Sequence, residues 1–239
     1  EGRAPPKSRE ADQPIEPDWE TSFATTDDAD VFTVIDANND GLTWGWNDSY
    51  DGSMRSEYSA NNGNDDWLVT PPIHFLPGRQ YIIKFNIRNA ATNWLNSFEV
   101  KYGEGDNPAQ FTKTLQPTFE PKGDDFETRT YYLTFDEEVT YRFGFHDNTA
   151  EANRYWLFLD DLSIEEGPLS TSPAAVEDLE VTPAEQGKLK ATVSFMLPTT
   201  TVDGKPLSKV DGVIIKRNGV KVATLGAGKP GQTITYEDN

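Results

Sequence analysis

No cysteine occurs in the 239 residues, so a disulfide framework, a thiol nucleophile and a thiolate metal site are all excluded. Histidine is nearly as scarce, with only His74 and His146. There is no Gly-x-Ser-x-Gly, no His-Glu-x-x-His and no glycine-rich phosphate loop. Triad hydrolysis, zinc proteolysis and nucleotide chemistry therefore lack their residues. Forty acidic side chains contain some pair at glycosidase spacing by chance, and nothing marks one of them as a protonated acid, so the expectation is a protein that is not an enzyme.

Positive charge is also in short supply. Lys plus Arg number 21 against 40 Asp plus Glu, a net charge of -19, which opposes nucleic acid and anionic membrane surfaces as partners. No apolar run is long enough to span a bilayer, so direct membrane insertion is not expected. The opening residues lack the apolar core of a signal peptide, so an exported protein would be present here in processed form. From Pro173 onward eight basic and eight acidic residues cancel, which leaves the whole excess on the first 172 residues. A break that sharp argues for two domains with different jobs.

What the chain does have is apolar residues at period two. Residues 1–17 are charged and proline-bearing and read as a flexible leader. From Val31 on, Tyr81-Ile83-Phe85-Ile87, Phe98-Val100-Tyr102, Tyr131-Leu133-Phe135 and Tyr141-Phe143-Phe145 alternate with polar neighbours, the mark of half-buried strands. Turn-rich connections such as Gly103–Pro108 and Pro121–Asp125 suit antiparallel neighbours, and no amphipathic helix of useful length interrupts them. The final strand of this domain reads Tyr155 to Ile164. So many strands over residues 18–166 predict a two-sheet sandwich of jelly-roll type. A linker over 167–173 leads to a smaller set of strands at Val176–Val181, Leu189–Leu197, Val210–Lys216 and Val220–Leu225, with Arg217-Asn-Gly219 as a hairpin turn, inside a second domain over 174–239. The predicted class is all-β: a jelly-roll sandwich followed by a smaller, incomplete one.

Two acidic features stand out. Asp36, Asn38 and Asp40 alternate ahead of Gly41, a spacing that can bend side-chain oxygens around a hard cation such as calcium. The competing reading is a hairpin tip between Val31–Ile35 and Leu42–Trp46, since Asn and Asp favour turns. The adjacent pair Asp160-Asp161 sits inside the final strand, where neighbours point to opposite faces, so at least one carboxylate lies near the core rim and needs a partner. A bound cation or a hydrogen-bonded turn can supply it. Each histidine reads as structural. Among the aromatics, Trp46 and Trp94 have polar neighbours that could flank a sugar ring or a protein partner, whereas Trp44 and Trp67 read as packing.

The order of Trp19-Glu20, Asp36 to Trp44, Asp66-Trp-Leu-Val-Thr-Pro-Pro-Ile73 and Leu159-Asp-Asp-Leu162 resembles the cleaved adhesin family, the jelly-roll modules of gingipain-type adhesin regions, over about Asp18 to Glu166. The acidic pair is shared with other galactose-binding-like sandwiches, including MAM domains. The resemblance implies calcium where the opening and last strands meet, at Glu20 and Asp160 or Asp161, and it matches Asp36, Asn38 and Asp40 to the family's acidic loop. From Ala174 the chain resembles a fibronectin type III domain through Thr199–Pro206 and Val213–Gly219. Phe195 stands where that family has a core Trp, and the sequence stops at Asn239 before the family's last two strands, so a weakly stable or externally completed sandwich is expected. The resulting expectation is a calcium-stabilised, non-enzymatic adhesion module of a secreted or surface bacterial protein, part of a larger multidomain chain and binding a host protein or glycan. The alternative is a carbohydrate-binding accessory domain of a larger secreted hydrolase.

Overall fold

Strands dominate because large apolar residues recur at every second position through most of the chain. The structure is a computed structural model that describes residues 13–123, 125–150, 154–185 and 189–238. It divides into a first compact unit that reaches Pro77 and resumes over Tyr81–Gly167, and a second made of Gly78–Gln80 and the chain from Pro168 onward.

The strands of the first unit are, in chain order, β1 (Trp19–Thr21), β2 (Thr33–Asp36), β3 (Trp44–Asn47), β4 (Ser53–Ser56), β5 (Asp66–Val69), β6 (Ile73–Phe75), β7 (Arg79–Asn89), β8 (Phe98–Gly103), β9 (Lys113–Phe119), β10 (Glu127–Thr134), β11 (Val139–Asp147) and β12 (Leu157–Leu169). One six-stranded sheet has the order β10-β7-β12-β4-β3, with β1 also on β12; the other has the order β2-β5-β11-β8-β9, with β6 also on β11. A single core joins them. Ile83, Phe85, Leu157 and Leu159 from the first sheet and Leu68, Val100, Phe143 and Phe145 from the second all belong to one buried cluster. Phe85 meets Phe145 edge-on with ring centroids 5.3 Å apart, and each such buried side chain contributes about 1.5–3 kcal/mol of transfer free energy. This is the two-sheet sandwich read from the sequence, and a four-residue helix, α1 (Thr26–Ala29), is its one α-helix among the described residues.

Three details depart from the sequence reading. The expected leader over 1–17 is fixed at its end: the Ile15 N–H donates to the Pro72 carbonyl at 2.8 Å and the Ile15 carbonyl accepts from the His74 N–H at 3.0 Å, while residues 1–12 lie outside the described residues. Ile15 is the large apolar side chain in that stretch, which gives it something to bury. The last strand begins at Leu157 rather than Tyr155 and runs to Leu169, into the expected linker. The stretch between β2 and β3 is not a hairpin tip, because β2 pairs with β5 and β3 with β4, in different sheets. It carries the chain from one sheet to the other.

The second unit holds β13 (Glu177–Pro183), β14 (Ala191–Met196), β15 (Val213–Arg217), β16 (Val220–Leu225) and β17 (Thr233–Asp238), as a three-stranded sheet β13-β14-β17 and a two-stranded β15-β16. Asn218 and Gly219 both have positive φ, 50° and 81°, the geometry of a two-residue turn between Arg217 and Val220. Its core is small, with Phe195, Leu197 and Val210 buried. β17 was missed in sequence, although Thr233-Ile-Thr-Tyr236 alternates.

Candidate cation and ligand sites

The acidic pair of β12 is set by a break in alternation. Leu159 and Leu162 both face the core although three residues apart, and Asp161 absorbs the extra residue in a left-handed conformation, φ 47°. Both carboxylates thus escape the core face. Asp161 Oδ2 accepts from Asn86 Nδ2 at 2.8 Å, and Asp160 Oδ1 accepts from the Asp161 N–H at 2.7 Å. Asp160 is buried, and burial pushes its carboxyl up to about 6; the Asp161 amide opposes that rise and the Asp161 charge adds to it. Glu20, opposite Ser163 in the β1–β12 ladder, joins Asp161, Asp28, Glu165 and Lys84 around an open groove of about 460 Å³. Asp160 is not among the residues lining it. Lys84 Nζ, 3.6 Å from Glu165, already brings one positive charge to this groove.

The acidic loop is folded on its own amides. Asp36 accepts from the Asp40 N–H at 3.2 Å and the Gly41 N–H at 2.9 Å, Asn38 Oδ1 accepts from the Asp40 N–H at 3.3 Å, and Asp40 Oδ1 accepts from the Leu42 N–H at 2.9 Å. Asn39 and Gly41 take the positive φ values, 56° and 82°, that this wrap requires. Beneath it lies an arrangement the sequence reading did not find. Asp36 pairs with Asp66, and Asp66 with Asp147, so three aspartates stand in register across β2, β5 and β11 on one face. That face is the core side, since Leu68 and Phe145 follow at the next positions in phase. A polar residue in phase with a run of core residues was the available signal.

The row is unequal inside. Asp147 is 0% exposed, and its carboxylate accepts from Ser56 Oγ (2.8 Å), Asn64 Nδ2 (2.9 Å), Asn96 Nδ2 (2.9 Å) and Thr149 Oγ1 (2.5 Å). Burial raises its pKa and those donors oppose the rise. Asp66 is 1% exposed, and its side-chain donor is Thr43, with neither Asp66 Oδ1 nor Thr43 Oγ1 reaching good hydrogen-bond geometry. Burial pushes the Asp66 carboxyl up to about 7, with Thr43 opposing and the charges of Asp147, Asp36 and Asp40 adding to it. A buried carboxylate with one hydroxyl as its side-chain donor is poorly satisfied. Among the described residues, no group of three or more His, Asp or Glu side chains is placed to hold a metal ion.

Both histidines lie between carboxylates. His146 places Nδ1 2.9 Å from Glu99 and Nε2 2.8 Å from Asp65, and stacks on Trp67 at 3.8 Å. His74 places Nδ1 2.8 Å from Glu16 and Nε2 2.9 Å from Glu138, and these contacts, Glu16 first, raise its pKa. With both ring nitrogens engaged, neither offers a free base.

The ligand-facing candidates separate. Trp46 is 36% exposed, but its Nε1 donates to the Phe23 carbonyl at 2.8 Å, so its polar end is used internally. Trp94, 52% exposed, belongs to a ledge of four rings: Tyr155 lies 6.4 Å from it, Trp156 4.4 Å from Tyr155, and Tyr58 5.8 Å from Tyr155 and 6.2 Å from Trp156. Trp156 Nε1 donates to Glu57 at 3.0 Å, and the Arg55 guanidinium lies over the Trp156 ring at 4.7 Å while pairing with Glu57. Tyr155 and Trp156 precede the strand they were assigned to, which frees them for this surface.

The chain is similar to cleaved adhesin domains. The K1 domain of Lys-gingipain from Porphyromonas gingivalis W83 is 20% identical, covering 62% of this chain and 96% of that one with a TM-score of 0.48; the K2 domain is 17% identical, covering 62% and 98%, with a TM-score of 0.48. The CBM22-1 xylan-binding domain of Paenibacillus barcinonensis Xyn10C is 11% identical, covering 62% and 92%, with a TM-score of 0.42. No protein-family model matches the sequence, and neither does any curated protein.

Proposed function

We propose that the first unit is a non-enzymatic, calcium-stabilised binding module of a secreted or surface bacterial protein, with the ledge of Tyr58, Trp94, Tyr155 and Trp156 as its ligand surface. The carrying observation is the contiguity of the four rings, since a sugar ring stacks on an aromatic face and flanking polar groups then orient it. Arg55 and Glu57 hold Trp156 in place, so that ring is braced before any ligand arrives. The acidic sets at Glu20 with Asp161 and at Asp36, Asn38 and Asp40 are where calcium would brace the sandwich. The second unit, fibronectin type III-like in sequence, serves as a spacer. A glycan array with the full chain tests the reading. A sugar ligand lost on Trp94→Ala supports it and favours the accessory role beside a hydrolase, a host matrix protein bound through the same rings favours adhesion, and ligand binding untouched by Trp94→Ala and Tyr155→Ala overturns the ledge.

A further inference from the structure

We propose that Asp147 is the positioning residue of the aromatic ledge, its buried carboxylate gathering the stretches that carry Tyr58, Trp94, Tyr155 and Trp156 and setting the rings relative to one another. The proposal rests on the ledge as the ligand surface and adds what shapes it. From Oδ2 one arm runs through Asn96, whose Nδ2 donates to Asp147 at 2.9 Å while its Oδ1 accepts from the Tyr155 N–H at 3.2 Å. The Asn96 backbone N–H donates to Asn89 Oδ1 at 2.9 Å, and Asn89 Nδ2 donates to the Asn96 carbonyl at 3.3 Å, which closes the loop over 90–95 that bears Trp94. A second arm runs through Asn64 Nδ2, which donates to Asp147 at 2.9 Å and to the Glu57 carbonyl, next to Tyr58, at 2.7 Å. Glu57 in turn accepts from Trp156 Nε1, and the Ala90 N–H donates to the Trp156 carbonyl at 2.8 Å, so the two arms meet at that residue.

An ionised carboxylate suits this place because it only accepts. Ser56 Oγ, Asn64 Nδ2 and Asn96 Nδ2 converge on Oδ2 and Thr149 Oγ1 fills Oδ1, so a charged acceptor holds each of them more strongly than a neutral amide would. Phe145, Leu68 and the rest of the apolar core hold the two sheets independently of these bonds, so loss of the charge loosens the loops before the strands. Rings already held in place lose little freedom when a ligand stacks on them, and this is where the positioning enters binding.

The test compares the isotope-labelled full chain by NMR as wild type, Asp147→Asn and Asn64→Ala, with Trp19→Phe, Trp46→Phe, Trp94→Phe and Trp156→Phe assigning the indole N–H signals, and puts the first three on a glycan array. In folded Asp147→Asn the Trp94 and Trp156 signals are expected to shift or broaden, while those of Trp19 and Trp46, whose contacts with Phe32 and the Phe23 carbonyl lie outside this network, stay in place. The array signal of the wild type is expected to fall by about tenfold or more in the same variant. Should Asp147→Asn fail to fold, Asn64→Ala decides, with a moved Trp156 signal and unmoved Trp19 and Trp46 signals expected. Unmoved Trp94 and Trp156 signals in a folded Asp147→Asn, or equal movement of all four, overturn the proposal, as does an unmoved Trp156 signal in Asn64→Ala where Asp147→Asn does not fold. Absence of any array signal from the wild type, with the ring signals moving as expected, overturns the ligand reading and leaves the positioning of the rings by Asp147 standing.

Discussion

The regions around Asp147 and Asp66 are neighbours in one ladder and are opposite in character. At Asp147 the opposing sheet sends Ser56, loop residues Asn64 and Asn96 turn inward, and Thr149 folds back, so a fully buried carboxylate ties two sheets and two loops together. At Asp66 the neighbours are other carboxylates and a single hydroxyl, Thr43, whose hydrogen bond is outweighed by burial. Burial alone does not tell a structural acid from a receptive one; the donors around it do.

The largest expected effect breaks the first region. Asp147→Ala leaves the Asn96 amide and the Ser56 hydroxyl without their acceptor, while Asn64 keeps the Glu57 carbonyl and Thr149 the Ser97 carbonyl, and a loss of about 3 kcal/mol in urea unfolding is expected from unpaired groups of this kind. A loss within experimental error would mean that the network carries no stability. Next, in the absence of calcium at neutral pH, Asp66→Asn is expected to raise stability by about 1 kcal/mol, because it removes a desolvated charge that the Thr43 hydroxyl offsets only in part. Opposite signs for two adjacent aspartates would establish the contrast directly.

The pH dependence separates the regions further. The Asp66 carboxyl is pushed up to about 7, so the folded chain holds a proton that the unfolded chain gives up near 3.8. Between those values the native state binds more protons, and stability falls as pH rises through the window. Calcium-free melts from pH 4 to pH 7 should show this decline in the wild type and a flatter profile in Asp66→Asn; equal slopes would remove Asp66 as its source. Asp160 is pushed up only to about 6, so Asp160→Asn should flatten the same profile less, over a narrower range. The smallest effect is expected at Trp94→Ala, which lies far from either acid in exposure: stability within about 0.5 kcal/mol of wild type, as for most surface changes, while ligand binding falls.

Much of the fold was legible. Phe143-Phe145 and Ile83-Phe85 announce a strand face by their period, and Asn218-Gly219 announces a turn because few other residue pairs accept two positive φ values. The candidate sites were legible only in part. Asp160-Asp161 could be seen as an anomaly, but not the left-handed residue that moves both side chains off the core face. Asp36 to Asp40 could be seen as a wrap of oxygens, but not that the loop crosses between sheets. Trp94 was found through its polar neighbours, whereas Tyr58 lies more than thirty residues from it and Tyr155 about sixty, and only the fold assembles them.

What the sequence determined by itself is the local chemistry: strands from alternation, an acidic first unit and a neutral second one, and the absence of thiols and of catalytic motifs. Those follow from each residue and its near neighbours. Which carboxylates are bonded and which are left open was decided by tertiary structure alone. Ladder register puts Asp36, Asp66 and Asp147 side by side from three distant stretches, and four side-chain donors surround Asp147 where Asp66 has the Thr43 hydroxyl. Hydrogen-bond supply at a buried atom depends on residues remote in sequence, so no local pattern could have announced it.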